Sequence, residues 1–243
     1  MLAAEAVRLV AMEILLPTAA QISGGPYPTR AGARVFDSRA PSISDIDEEA
    51  EYTPVLSLYT PESGVALRGP MTDAGDAEAD AVLDVVSELC IVARDGDGPP
   101  FADAMADGDP SARLVLAAMA SRVRFLLEFS AAGAAWRRLV RRVIRVENRT
   151  FAVPEYGLRW QRMTTRFHLS IRDDDFDVAG GGLPEPIRSV CEALPDGSYA
   201  KAKLQALGAY FAGEAPMPLA GMDFTARLPG GADINGVVGT PKP

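Results

Sequence analysis

The chain has 243 residues, 48% of them hydrophobic, which is enough for one large domain with a sizeable core, or a domain with an elaboration. Its net charge of −9 argues against a general nucleic-acid binder and against a protein drawn to anionic membranes. That charge is segregated: residues 1–121 carry −13, residues 122–172 carry +9 with arginine as the only basic residue, and residues 173–243 carry −5. A positive element between two negative ones predicts self-complementary association, the basic face of one copy meeting acidic loops of another.

In chain order, AVRLVAMEILLP (6–17) is apolar but is too short to cross a bilayer and has no basic start. It reads as an amphipathic or buried helix ended near Pro17, not as a signal peptide or anchor. SGGPYPTRAG is turn chemistry, and Val35 and Phe36 mark a short strand. An acidic loop from Ser42 to Glu51 follows, holding Asp45, Asp47, Glu48, Glu49 and Glu51. A second strand is predicted over Val55 to Thr60, then a polar connection over residues 61–80. AVLDVVSELCIVAR (81–94) is rich in valine and isoleucine and predicts a long strand covered on both faces, with a helix as the alternative.

Residues 95–109 read as a loop, with Asp109 as N-cap and Pro110 as the first helical residue. Leu116, Met119, Val123, Leu126 and Leu127 recur at helical spacing and predict a helix to about Phe129. Gly133 breaks it. A second helix is predicted beyond, with Trp136, Leu139, Val140 and Val143 on one face and Arg137, Arg138, Arg141, Arg142 and Arg145 on the other; Ile144 to Asn148 can become extended. In MTTRFHLSIR, Met163, Thr165, Phe167, Leu169 and Ile171 alternate with Arg162, Thr164, Arg166, His168, Ser170 and Arg172, predicting a half-buried strand with one cationic face. DDDFDVAGGGLPEP reads as a linker. Short helices are predicted near Ile187–Leu194 and Tyr199–Ala212, and an extended arm over the last thirty residues. The expected organisation is a domain over 1–172 and a linker, helices and arm over 173–243.

Candidates for chemistry are few. The sole histidine, His168, has arginine neighbours that oppose its protonation and repel a cation. Asp173, Asp174, Asp175 and Asp177 offer oxygen ligands to a divalent ion, the basis of an alternative reading as a metal-dependent hydrolase; successive carboxylates on an extended chain diverge, which favours a solvated turn. DGDG at Asp95 opens like a calcium loop, but Ala106 stands where the closing glutamate belongs. No phosphate-binding, zinc-protease, serine-hydrolase or CxxC motif occurs. The reading is of a non-enzyme without a cofactor. Cys90 and Cys191 read as buried, unpaired thiols, consistent with assembly in a reducing cytoplasm. What remains is the arginine set. Arginine favours fixed, bidentate pairing with carboxylates or phosphates, so a protein contact is expected first and DNA passing through a pore second.

The order helix, RVFDSR strand, polar loop, PVLSLYT strand, VLDVVSELCIVAR strand, two helices with AAWRRLVRRV in the second, and GLRWQRMTTRFHLSIR strand resembles the tail terminator proteins of long-tailed bacteriophages, the lambda U-like family and its prophage relatives. The resemblance covers residues 5–172 and rests on the order of short motifs; residues 173–243 have no counterpart in it. It implies an α+β fold, a mostly antiparallel sheet flanked by helices, here with a C-terminal extension. It also implies a ring, a hexamer in this family, that caps the tail tube, stops its polymerisation and joins the tail to the head connector or stopper. The location implied is the virion neck, after assembly in a bacterial host. In such a ring the acidic loop is a contact element. Another neck completion or stopper protein is the nearest alternative.

Overall fold

The computed structural model describes residues 1–66, 78–93, 98, 100–104, 110–153, 158–177, 181–211, 221–227 and 233–239. Helix α1 (Leu2–Leu15) buries ten of its fourteen residues, and its charged residues Glu5, Arg8 and Glu13 are only partly buried. A short α2 (Thr18–Ser23) follows Pro17 and ends at Gly24, which adopts φ 74°.

Strand β1 (Val35–Asp37) runs parallel to β2 (Thr53–Ala66); every other pairing in the main sheet is antiparallel. The order is β1-β2-β3-β6-β5, with β3 at Glu78–Ala93, β5 at Val140–Val153 and β6 at Leu158–Ile171. A further strand, β4 (Phe101–Ala104), pairs with the end of β3 opposite β2, since Cys90 faces both Thr53 and Ala104. The fold is therefore α+β, a mostly antiparallel sheet with flanking helices. The alternation at Met163 to Ile171 is present as predicted: Met163, Thr165, Phe167, Leu169 and Ile171 are buried and their neighbours are half-exposed. Together with Leu56, Leu58, Leu83 and Val85 they form the face on which α1 and α3 (Pro110–Arg124) pack.

Several expectations are corrected. The polar connection is shorter than predicted, because β2 continues to Ala66 and β3 begins at Glu78. Pro61, which has no N–H to give the ladder, falls in a register shift between Tyr59 and Glu62 that carries the strand past it. The stretch read as loop contains β4. Asp109, the predicted N-cap, lies outside the described residues, and the helix starts at Pro110.

The arginine helix is the largest correction. After a π-helical turn (Phe125–Phe129) and a 3-10 turn (Ala132–Ala134), α4 is one turn long (Trp136–Leu139), and Arg141, Arg142 and Arg145 belong to β5. Register shifts between Val140 and Arg142 and between Val143 and Arg145 insert one extra residue each. They stretch the repeat of two to three, so Val140, Val143 and Val146 all face the helices, at a spacing that mimics a helix.

Beyond residue 172, α5 (Ile187–Ala193) and α6 (Tyr199–Ala209) form where helices were expected. Ile187, Val190, Leu194, Ala200 and Leu204 belong to the same core as the sheet. The terminal arm is extended but not single: β7 (Gly221–Arg227) and β8 (Asp233–Gly239) pair as an antiparallel ribbon.

Candidate functional site

The acidic loop is anchored at both ends, which leaves its middle projecting. Ile46 is buried against Phe36, Val55 and Cys90 on the sheet face away from the helices. Before it, Asp45 accepts from Arg39 Nη1 (2.8 Å) and from the backbone N–H of Ser42 (2.8 Å), closing a capping box. The hydrogen bond from Arg39, helped by Ser42, holds the Asp45 carboxyl well below the usual carboxylate range. The Arg39 guanidinium lies 3.8 Å from the centre of the Phe36 ring. After Ile46, the Asp47 N–H donates to Thr53 Oγ1 (2.9 Å). Asp47, Glu48, Glu49 and Glu51 are exposed. Asp45 is thus an internal anchor, and the other four carboxylates form an acidic finger. The anchors escaped the sequence reading, although one isoleucine inside an acidic run is a signal for them.

The predicted arginines divide in the same way. Arg137 Nη1 donates to the carbonyls of Leu127 (3.0 Å) and Glu128 (3.3 Å), satisfying helix-end acceptors and fastening α4 to the π-helical turn. Arg138, Arg141, Arg142 and Arg145 are exposed, as Arg137 is. Arg138 is on α4 and the other three are on β5, an edge strand. Arg145 forms an ion pair with Glu147, which Arg149 also contacts (2.9 Å).

The sheet face away from the helices carries a cross-strand charge ladder that the sequence did not reveal. Arg166 on β6 makes a two-pronged contact with Asp84 on β3 (2.8 and 2.7 Å), and Arg162 pairs with the buried Glu88. Carboxylates thus stand on β3, arginines on β6, and both signs on β5, where Glu147 faces Arg166 in register. His168 pairs in register with Arg145 and Val82. It borders an open cavity of about 450 Å³ together with Glu62, Asp80, Ile144 and Arg145. The aspartate run does structural work. Asp174 accepts from the backbone N–H groups of Leu2 and Ala3 at 2.8 Å, and Asp177 lies 3.8 Å from Arg188. Among the described residues no three potential metal ligands converge.

Strand order places finger and arginines apart. The finger joins β1 to β2, at one edge of the sheet, while β5 is the other edge. Register adds a second separation: Thr53 faces Cys90 of β3, whereas Val140 faces Ile171, which faces Ala79. Cys90 and Ala79 are roughly 35 Å apart along an extended strand. Acidic finger and arginine edge therefore occupy diagonal corners of the sheet. No helix among the described residues is long and apolar enough to cross a membrane. Comparison with models of known protein families finds no match, and comparison with curated protein sequences finds none either.

Proposed function

We propose that the chain is a structural protein of the phage tail neck, a terminator that assembles as a ring on the tail tube, stops its growth and presents a surface to the head connector. The observation that carries this reading is the diagonal separation of opposite charges, four exposed carboxylates at one corner and the exposed arginines Arg138, Arg141, Arg142 and Arg145 at the other. Complementary patches at different places on one molecule make a head-to-tail contact, which propagates and closes into a ring when the rotation between copies permits. The family resemblance supplies tube and connector as partners and six as the ring size. The α+β architecture agrees with what that resemblance implies.

The test is to mix the purified protein with tail tubes and image the mixture by negative stain. Rings at tube ends, with tubes of uniform length, are expected. A terminator can stay monomeric until it meets the tube, so a monomer alone decides nothing. Absence of rings in the presence of tubes overturns the reading, and binding to the connector without binding to the tube makes the protein a stopper instead.

A further inference from the structure

Beside the arginine edge, two phenylalanines stand outside the core. Phe125 and Phe129, on the π-helical turn after α3, are 47% and 64% exposed, although the neighbouring Leu126 and Leu127 are buried. Each ring carries a guanidinium: Arg122 lies 5.3 Å from the centre of Phe125, and Arg124 lies 5.8 Å from that of Phe129. A second contact holds both cations in place, Arg122 Nε donating to Pro28 O (3.0 Å) and Arg124 Nε to Glu128 (2.8 Å).

The turn beneath is fixed. Ser130 Oγ donates to Leu126 O (2.6 Å), and Gly133 approaches so closely that a Cβ there would lie 2.2 Å from Leu127 O. Arg137, bonded to Leu127 O and Glu128 O, ties this ledge to Arg138 and the start of β5. Aromatic rings with arginines at their rim are the composition of binding hot spots.

We infer that the Phe125–Phe129 ledge is the seat for the acidic finger of a second copy, Asp47 to Glu51, and that it forms the apolar centre of the subunit contact. The inference rests on the ring reading. Charge complementarity selects the occupant: residues 110–142 hold seven arginines and a single carboxylate, Glu128, which Arg124 engages, whereas residues 40–67 contain no lysine or arginine. Finger carboxylates meet Arg122 and Arg138, while the small Ala50 leaves the finger free to lie against the rings. The finger of the same chain is at the diagonal corner of the sheet, so the occupant comes from a neighbour.

The test uses full-length protein with Phe129→Cys and Glu49→Cys, made singly and together. Native Cys90 and Cys191 are buried and stay silent. On tail tubes, a mixture of the single variants is expected to give a cross-linked pair under mild oxidation. The double variant is expected to give a ladder ending at the ring size, and pairing Phe129→Cys with Glu192→Cys is expected to give nothing. A second measurement uses Phe125→Ser with Phe129→Ser, expected to keep the thermal midpoint and to lower ring yield roughly tenfold. Rings that form without the 129–49 cross-link, or with undiminished yield in the serine variant, overturn the ledge and leave the terminator reading standing. If the unaltered protein forms no rings on tubes, both fall.

Discussion

The pairing of Arg162 with Glu88 shows how much of the sheet's polar face depends on single charges. Glu88 is 5% exposed, and burial pushes its carboxyl above the ordinary range while Arg162 pulls it back. Burial, helped by the Glu88 charge, also pushes the Cys90 thiol up to about 12, so this cysteine stays a thiol. Removing Arg162 leaves a buried carboxylate without its cation, so Arg162→Met is expected to cost about 3 kcal/mol at neutral pH. The sign with pH follows from the raised Glu88 value, which rises further without Arg162. The deficit is full above that value and shrinks as pH falls through it and Glu88 takes up a proton. Urea denaturation of both proteins at pH 7 and pH 5 reads this, and a deficit independent of pH contradicts it. On the same pair of strands, Phe167 is fully buried with its ring centre 6.3 Å from that of Trp136. Phe167→Asp is expected to abolish folding, whereas His168→Ala keeps both fold and assembly, as circular dichroism and ring counts would record. Loss of all activity in a folded His168→Ala protein would instead make the His168 cavity a working site.

Among the elements, α1 depends on a residue far from it in sequence. Asp174 accepts from the N–H groups of both Leu2 and Ala3, the work of an N-cap side chain supplied by the chain beyond β6. Asp174→Ala is expected to lower stability by about 1 kcal/mol, within the range of cap losses, and a thermal scan would show it. An unchanged midpoint would mean that water replaces the carboxylate at no cost. Elements were legible where one periodicity ruled. The β6 alternation and the α3 spacing each follow from a regular face turned to one core, and the valine-rich β3 from burial on both faces. The start of β5 was not legible, because two extra residues turn a strand's period into a helix's, and only pairing with β6 reveals that Arg141 and Ile144 are the insertions.

For the whole molecule, the decisive experiment is charge reversal across the diagonal. Arg138 and Arg142 are exposed, one on α4 and one on β5, so changing both to glutamate is expected to leave the unfolding free energy within about 0.5 kcal/mol of the original. Ring formation is expected to fail, and Glu48→Lys with Glu49→Lys to restore it, since interface charges set partner choice and register. If the arginines line a DNA passage instead, tailed particles form in normal number but deliver DNA poorly. Counting tailed particles beside infectious ones separates the two, and normal values of both return these side chains to a solvated surface.

The α+β class was what the resemblance implied. By itself the sequence determined the strand with its cationic face, the helix starting at Pro110, the helices near Ile187 and Tyr199, and the segregation of charge. Each of these is written in local spacing or composition, which a chain expresses before any distant contact forms. Tertiary structure alone decided which charged residues are available. Asp45 and Arg137 look like their neighbours in sequence, yet one is held by Arg39 and the other by the carbonyls of Leu127 and Glu128. It also placed the finger and the arginine edge at opposite corners of the sheet. The reason is physical: burial and pairing depend on which strands become neighbours, and that order, β1-β2-β3-β6-β5, is set by long-range packing that no local pattern encodes.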